Sequence, residues 1–287
     1  MPKSLDFDPP AAAARAQCIG VLDSGVGGLT VLRALHRRLP DAAMVYIGDV
    51  SHAPYGERPA DEIAARCVAL VGSLAARGAR LIVVACNTAT VLAIEALRAR
   101  WPALSFVGVE PGVKPAVFRS RSRRIAVMAT TATAASARLR ELIDRHAQGA
   151  HVHVQPCPGL AAAIERGVLD GPELLAILRP SCESIIAANV DTVVLGCTHY
   201  PFVEPTLRAL LGANVTMIDT AAAIAERTAS LWEQGSPRFE TTPDIRVLST
   251  GALGTMQLLL ERCAGLEQVR VARLSEGVQK NSPSPSS

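Results

Sequence analysis

Two segments of the chain, 111 positions apart, carry the same pattern of an apolar strand that ends in a cysteine. Residues 81–88 read Leu-Ile-Val-Val-Ala-Cys-Asn-Thr, and residues 192–199 read Thr-Val-Val-Leu-Gly-Cys-Thr-His. Runs of β-branched residues of this length predict buried strands of a parallel sheet. In such a sheet, the residue just past the carboxyl end of a strand lies in the crevice where ligands bind. The pattern therefore predicts two thiols, Cys86 and Cys197, that face one substrate from two similar halves.

The rest of the chain alternates between short apolar stretches and amphipathic ones, which is typical of parallel sheets covered by helices. The predicted strands are 19–22, 43–47, 81–85, 105–109, 124–128, 151–155, 192–195, 215–218, 245–249 and 268–272. Helical patterns include 61–77, 88–100, 133–147, 171–188, 204–211 and 220–234. Pro180 is expected to break or kink the helix around it. The chain is predicted to be an α/β protein.

A second pair of segments extends the repeat beyond the cysteines. Ile19–Ser24 and Ile125–Thr130 are both short strands that open onto a polar turn, and their offset of 106 positions is close to the cysteine offset. A duplicated sheet with a small insertion would explain both offsets, although α/β proteins in general look self-similar at this level. Because the chain continues well past Cys197, its last part must return to one of the two lobes.

Composition narrows the class of protein. Hydrophobic residues make up 49% of the chain and charged residues 19%, which indicates a well-buried core. The net charge is only +3, and the one basic cluster is short, so a nucleic-acid partner is not expected. That cluster comprises Arg119, Arg121, Arg123 and Arg124, with Phe118 beside it.

Cysteine spacing and the lack of a targeting pattern indicate the cellular compartment that we expect for this protein. None of the seven cysteines forms a Cys-x-x-Cys pair, which argues against a zinc ribbon or a thioredoxin-type site. With no signal peptide and no apolar stretch of membrane-spanning length, we expect a reduced cytoplasm and no membrane. Residues 1–16 and 276–287 have the composition of a disordered extension and tail.

The glycine-rich turn Asp23-Ser-Gly-Val-Gly-Gly28 has two interpretations. Glycines between a strand and a helix can let a phosphate reach backbone N–H groups. Here, however, Thr30 replaces the third glycine of a dinucleotide fingerprint, and Asp23 would repel a pyrophosphate. We favour a tight turn whose glycines allow close packing, with Asp23 and Ser24 pointing into the crevice.

Two opposed thiols without an apparent metal site fit racemisation or epimerisation, in which one group removes a proton and another delivers one to the opposite face. A pyridoxal enzyme would need a Schiff-base lysine. The chain has only Lys3, Lys114 and Lys280; the first and last lie in the expected tails. We therefore expect chemistry without a cofactor or metal, with one thiolate and one thiol in the resting pair.

At these residues the sequence resembles the glutamate racemase family, within the aspartate/glutamate racemases. The resemblance covers about residues 18–230 and rests on five motifs in order: Val21-Leu-Asp-Ser-Gly-Val-Gly-Gly-Leu-Thr, Pro54-Tyr-Gly, Ala85-Cys-Asn-Thr-Ala, Glu110-Pro-Gly and Leu195-Gly-Cys-Thr-His-Tyr-Pro. It implies cofactor-independent interconversion of L- and D-glutamate, which supplies D-glutamate for peptidoglycan. Neither cysteine motif departs from the family pattern, whereas Val113 stands where alanine is common.

The resemblance also implies an architecture. Members have two pseudo-symmetric, flavodoxin-like parallel-sheet lobes, with the second inserted into the first and the active site in the cleft between them. In this chain the first lobe would be residues 17–111 plus 220–275, and the second 112–219. A homodimer is compatible with the family, and the sequence leaves the oligomeric state open.

Carried over position by position, Cys86 resembles the base that acts on D-glutamate and Cys197 the base that acts on L-glutamate. Asp23 and His199 match residues that assist these cysteines, and Asp49 and Glu165 match acidic residues proposed to help proton transfer. Positions that also match substrate-binding residues are Asp23, Ser24, Tyr55, Gly56, Asn87, Thr88, Thr130, Thr133, Thr198 and His199.

Alternatives remain for each group. A cysteine after an apolar strand is more often a buried packing residue, and we assign that role to Cys18, Cys67, Cys157, Cys182 and Cys263. Cys157 could also line the crevice, while Asp49 and Glu165 could simply cap helices or bind water. Two rival functions are a racemase or isomerase for aspartate, a hydantoin or a related diacid, and a non-catalytic binding protein like relatives that inhibit DNA gyrase.

Overall fold

The structure is a computed structural model that describes residues 17–235 and 244–274. The extension 1–16 and the tail 276–287, for which the sequence predicts disorder, lie outside the described residues.

All ten predicted strands are present, with ends shifted by at most a few residues. They are β1 (Cys18–Asp23), β2 (Met44–Gly48), β3 (Ala79–Val84), β4 (Ser105–Gly108), β5 (Arg124–Ala129), β6 (His151–Pro156), β7 (Thr192–Leu195), β8 (Thr216–Ile218), β9 (Ile245–Ser249) and β10 (Val271–Arg273). The central strands β1 and β7 are buried along their whole length and β3 everywhere except at Arg80, as expected for a sheet covered on both faces.

The strands form two parallel sheets, so the predicted α/β fold is confirmed. The first sheet has the order β10-β9-β2-β1-β3-β4, and the second has the order β6-β5-β7-β8. Strand β9 pairs with β2, which brings the last part of the chain back to the first sheet. The return that the sequence predicts is thus observed.

The two sheets repeat one topology. If β5 is matched to β1, the second sheet reproduces the order of the strands β2, β1, β3 and β4 in the first. This is the flavodoxin-like order, in which the chain reverses direction beside the first strand and opens a crevice there. The cysteine-bearing strands β3 and β7 occupy equivalent places, next to β1 and β5. The pseudo-symmetry expected from the two sequence repeats is therefore present in the fold.

Helices cover both sheets. They are α1 (Leu29–Arg38), α2 (Ala60–Ala76), α3 (Asn87–Arg100), α4 (Val113–Arg119), α5 (Thr131–Ala135), α6 (Ala137–His146), α7 (Leu160–Glu165), α8 (Gly171–Ala187), α9 (Glu204–Leu211), α10 (Ala221–Gly235) and α11 (Gly254–Glu261). The predicted helix 133–147 is divided at Ser136, whose hydroxyl caps α6 by accepting a hydrogen bond from Leu139 N. The sequence also predicts that Pro180 breaks or kinks its helix, and the break was wrong: α8 continues through Pro180 to Ala187.

The chain crosses between the sheets twice, and the two crossings touch. Gly112 follows β4, and a side chain there would meet Ile218 at 3.0 Å and Thr220 at 3.1 Å, just after β8. Adjacent crossings are the geometry of a two-stranded hinge. We therefore propose lobe boundaries at this point, with 17–111 and 220–275 in the first lobe and 112–219 in the second.

Candidate active site

The two thiols that the sequence singles out line the same pocket. Cys86 follows β3 and begins α3, and Cys197 follows β7, so each lobe contributes one thiol at the carboxyl end of an equivalent strand. The pocket and the open solvent at its mouth together hold about 250 Å³ of empty space. The pocket is lined by Ser24, Pro54, Tyr55, Gly56, Asn87, Thr88, Thr130, Ala161 and His199 in addition to the two cysteines.

Cys86 lies in an environment that favours the neutral thiol. It is buried, and its sulfur accepts a hydrogen bond from Ala89 N at 3.4 Å and lies 3.6 Å from Ser24 Oγ. Burial raises the pKa of this thiol well above its usual range, and the nearby carboxylate of Asp23 raises it further. A proton donor rather than a resting thiolate is therefore expected at Cys86.

Cys197 lies in a different environment, beside a histidine–carboxylate pair. Its sulfur is 3.5 Å from His199 Nδ1, and His199 Nε2 is 2.6 Å from Glu165 Oε1. Burial alone would lower the pKa of His199, but the charges and hydrogen bonds of Cys197 and Glu165 outweigh it and hold that pKa well above its usual range. An imidazolium at this distance stabilises a thiolate. The two thiols are therefore electrostatically unequal.

Asp23 connects the lobes through its side chain, next to Ser24 of the pocket. Its carboxylate accepts hydrogen bonds from Gly25 N at 2.9 Å and from Thr198 Oγ1 of the second lobe at 3.2 Å. The side chain is fully buried, and burial raises its pKa despite the opposing effect of His199. Asp23 thus places a negative charge near Cys86 and fixes the residue that follows Cys197.

The glycine-rich turn serves as a contact surface for the second lobe. Val26 N donates a hydrogen bond to Glu165 Oε1 at 2.8 Å, and a side chain at Gly25 would collide with the same carboxylate. A side chain at Gly27 would collide with Thr198 and with His199 Nδ1 at 2.5 Å. The close-packing interpretation of this turn is therefore confirmed, and a carboxylate of the protein takes the N–H group that a phosphate would need.

The turn leads to a testable expectation. Gly27→Ala forces His199 and Thr198 away from the first lobe, and small misplacements of groups in an active site are costly, so we expect kcat/KM for the reaction at this site to fall at least about tenfold. Gly72→Ala in α2 is the matched control, because its new methyl group meets only Trp101, at 4.0 Å. Steady-state kinetics of the two variants would test this, and equal activity would show that the contact is unimportant.

Threonine hydroxyls join the lobes on another side of the pocket. Thr88 Oγ1 at the start of α3 lies 3.0 Å from Thr130 Oγ1 and 3.3 Å from Thr133 Oγ1, both from the second lobe. The neighbouring Asn87 is buried, and its Oδ1 has no hydrogen-bond partner. Of the ten predicted binding residues, seven line the pocket, and Asn87 leaves one acceptor free there. Asp23, Thr133 and Thr198 do not line it; Thr133 is hydrogen bonded to the lining residues Thr88 and Thr130, and Thr198 to Asp23.

Asp49 follows β2 and does not line the pocket of the two thiols. Its carboxylate accepts hydrogen bonds from Arg66 at 2.9 and 2.8 Å, from Tyr55 Oη at 2.7 Å and from Thr250 Oγ1 at 2.8 Å. Burial would raise the pKa of Asp49, but these hydrogen bonds outweigh it and lower that pKa. Sequence reasoning did not identify Arg66 or Thr250, because neither belongs to a motif and Thr250 comes from the returning segment.

The remaining cysteines are buried and free. Cys157 also lines a neighbouring cavity that shares Pro54, Gly56, Thr130 and Ala161 with the pocket. Burial raises its pKa to about 12. Cys157 therefore lies beside the crevice as a neutral thiol, consistent with the packing role and with the alternative position given above.

Residues 17–235 and 244–274 contain neither a candidate metal site nor a membrane-spanning helix. In these ranges, no group of three or more His, Cys, Asp or Glu side chains is arranged to hold a metal ion. Within the same part of the chain, every helix is too short or too polar to cross a membrane.

The sequence and the fold are similar to those of known proteins. The family model described as Asp/Glu/Hydantoin racemase matches residues 19–228. A glutamate racemase of Roseiflexus is 48% identical over 219 residues, covering 76% of this chain and 80% of the relative.

Two solved structures match most of the chain. A glutamate racemase isoform from Bacillus anthracis has a TM-score of 0.81 and 30% identity, covering 91% of this chain and 98% of the other. The Escherichia coli glutamate racemase, in complex with L-glutamate and the activator UDP-MurNAc-ala, has a TM-score of 0.78 and 30% identity, covering 91% and 100%. Since the family model covers strands of both sheets and both cysteine motifs, the chain belongs to the Asp/Glu/Hydantoin racemase family.

Proposed function

We propose that this protein is a glutamate racemase that moves the α-proton of glutamate between Cys86 and Cys197 without a cofactor. The observation that carries the proposal is that both thiols line one pocket and come from different lobes. Inversion at a carbon requires one group to remove a proton and another to supply one on the opposite face. Relatives named as glutamate racemases support glutamate as the substrate.

The unequal surroundings of the thiols support a direction for each step. Starting from L-glutamate, the Cys197 thiolate takes the α-proton, and the electron pair of the broken C–H bond delocalises into the adjacent carboxylate. The Cys86 thiol then gives its proton to the opposite face, which forms the new C–H bond and leaves Cys86 as the thiolate. The reverse reaction begins from that thiolate.

Three polar residues assist these steps in the proposal. His199, held by Glu165, stabilises the thiolate of Cys197. Cys86 stays protonated before transfer, because burial and then the negative charge of Asp23 raise the pKa of that thiol. The imidazolium beside Cys197 and the buried carboxylate near Cys86 therefore support different roles for the two sulfurs.

In this proposal, neutral groups around the thiols bind the substrate. The free Oδ1 of Asn87 can accept a hydrogen bond from the substrate ammonium group. Hydroxyl and backbone donors can hold the two carboxylates through several directed hydrogen bonds. We assign the hydroxyl donors to Ser24, Thr88, Thr130, Thr133 and Thr198 and the backbone donors to Tyr55 and Gly56, with Asp23 and His199 beside them.

The direct test is incubation of the purified protein with L-glutamate in heavy water without added cofactor. The proposal predicts loss of optical rotation together with incorporation of deuterium at Cα. Activity should survive chelators and carbonyl reagents and should be lost on thiol alkylation, with bound glutamate slowing that loss. Inactivation by a chelator would redirect the mechanism to a metal.

Substrate choice gives a further prediction. Aspartate is one methylene shorter, so its distal carboxylate would leave donors of the pocket unpaired. Each unpaired buried donor costs on the order of 1–3 kcal/mol. We therefore expect kcat/KM for aspartate to be at least about tenfold lower than for glutamate. Kinetics with both acids would decide this, and equal or better use of aspartate would assign the chain to the aspartate branch of the family.

We further propose that the protein works in the cytoplasm and supplies D-glutamate for peptidoglycan. Seven free thiols in the structure are in keeping with a reducing compartment. Expression in a bacterium that requires D-glutamate for growth should remove the requirement. Growth that still depends on added D-glutamate, despite soluble active protein, would contradict the biosynthetic role.

A further inference from the structure

The carboxylate of Asp49 has little remaining capacity for hydrogen bonding. Its side chain is 0% exposed. Oδ2 accepts from Arg66 Nε and Tyr55 Oη, while Oδ1 accepts from Arg66 Nη2 and Thr250 Oγ1 and lies 3.2 Å from His52 Nδ1. An ionised carboxylate offers roughly four acceptor sites. A carboxylate filled in this way is built to stay ionised and fixed rather than to exchange a proton with a thiol.

The groups around Asp49 come from three separate parts of the first lobe. Arg66 lies on α2, Tyr55 follows β2, and Thr250 follows β9. The segment after β9 is also joined to the segment after β2, because Ser51 N donates to Thr250 Oγ1 at 3.1 Å and Ser51 Oγ donates to Thr250 O at 2.6 Å. Asp49 is therefore the point at which these three parts meet.

One of these parts forms a wall of the pocket. Tyr55 and Gly56 both line it. Gly56 is so close to the second lobe that a side chain there would meet Thr130 Cβ at 2.7 Å. The hydroxyl of Tyr55 donates to Asp49, so its proton is already used and the residue contributes a fixed surface. Movement of Tyr55 would displace Gly56 from Thr130 and open the pocket.

We propose that Arg66 is a positioning residue for the racemase reaction: through its two hydrogen bonds to Asp49 it fixes Tyr55 and Gly56 as the wall that closes on glutamate. The inference rests on the proposed function and changes the role of Asp49, which acts through Tyr55 and Gly56 instead of carrying a proton. Thr250 supports the same carboxylate from the returning segment.

The first test compares Arg66→Met with Arg66→Lys. A wall that contacts substrate throughout the reaction contributes binding that is equal in the ground and transition states, so its loss raises KM more than it lowers kcat. We expect Arg66→Met to raise KM for both enantiomers at least about tenfold, and Arg66→Lys to restore part of that loss, because lysine keeps the charge without the two-point geometry. Arg208→Met is the matched control, since Arg208 pairs with Glu204 on the exposed surface of α9.

A pH profile separates this role from general stability. The titratable groups that face Asp49 are Arg66 and Cys67 from α2, together with His52 and Tyr55 from the segment after β2, while the segment after β9 supplies the neutral Thr250. Arg66 lowers the pKa of Asp49, whereas burial raises it, so the pKa of Asp49 should rise when Arg66 is removed. Asp49 would then become protonated at a higher pH than in the wild-type protein. The acid limb of the pH profile of kcat/KM should therefore move to higher pH in Arg66→Met. The same shift is expected when His52→Gln is added, which removes the titratable histidine beside Asp49. A merely destabilised protein would lower the melting temperature without moving that limb.

Asp49→Asn and a binding measurement decide between the two roles of Asp49. Titration calorimetry with D- and L-glutamate uses the Cys86→Ser, Cys197→Ser double variant, with and without Arg66→Met. We expect Arg66→Met to weaken binding of both enantiomers, and Thr250→Val to weaken it less. If Asp49→Asn instead abolished deuterium exchange while binding stayed intact, Asp49 would be a proton carrier and the inference would be overturned. Unchanged binding in Arg66→Met would overturn it as well, whereas absence of racemisation by wild-type protein that still binds glutamate would count against the proposed function alone.

Discussion

Replacing either Cys86 or Cys197 with serine is expected to lower kcat/KM for racemisation roughly a thousandfold, which is within the range contributed by a positioned acid or base. Serine keeps the size and much of the binding but holds its proton far more tightly than a thiol does. Because inversion needs both groups, the loss should be similar for the two variants. Polarimetry of each variant with each enantiomer would measure it.

Deuterium exchange at Cα distinguishes the roles of the two thiols. In Cys86→Ser, Cys197 can still remove and return the α-proton of L-glutamate, so exchange at Cα should persist for the L-enantiomer without inversion. In Cys197→Ser, any remaining exchange should be confined to D-glutamate. Cys182→Ser is the control, since Cys182 is buried on α8 away from the pocket. Near wild-type turnover by either active-site variant would exclude the two-base mechanism.

The features that the sequence predicts well are those with a local physical signature. The strands that precede Cys86 and Cys197 are continuous apolar runs, and such runs have few alternatives to a buried parallel strand. Their position in the sheet follows from a general rule of α/β folds, which places the next residue in the crevice. The strand order supports this reasoning, because β3 and β7 occupy equivalent places in two sheets of the same topology.

Contacts between remote segments carry no such signature. The pairing of His199 with Glu165 depends on how α7 packs beside the segment after β7. The family resemblance gave each residue a separate role, and nothing in the sequence paired them. The partners of Asp49 come from α2 and from the segment after β9, so no spacing along the chain could reveal Arg66 or Thr250.

Local rules also failed where tertiary packing outweighed them. Pro180 removes one backbone hydrogen bond from α8, yet Leu178 and Cys182 on either side of it are buried in the core. Burial of an apolar side chain contributes about 1.5–3 kcal/mol, so two such residues can offset a proline that costs about 3 kcal/mol. The helix therefore continues where the proline rule predicts a break.

Glu165→Gln is expected to lower kcat from L-glutamate about tenfold to a hundredfold, because it removes the charge that supports the His199 imidazolium. The pKa of His199 is raised in the folded protein, so its positive charge is present below that pKa and is lost as the pH rises through it. Without the carboxylate this loss should occur at lower pH, and the basic limb of the kcat profile should move in that direction.

The two directions of the reaction provide an internal check on Glu165→Gln. The enantiomers have equal free energy in water, so kcat/KM must change equally in both directions, and any asymmetry must appear in kcat and KM separately. Alkylation of Cys197 by iodoacetamide, followed by mass spectrometry, should slow in the variant, whereas alkylation of Cys86 should not. Glu204→Gln on the exposed surface of α9 is the control. An unchanged pH profile together with unchanged alkylation of Cys197 would show that the histidine does not need Glu165, and the thiolate at Cys197 would then require another source of stabilisation.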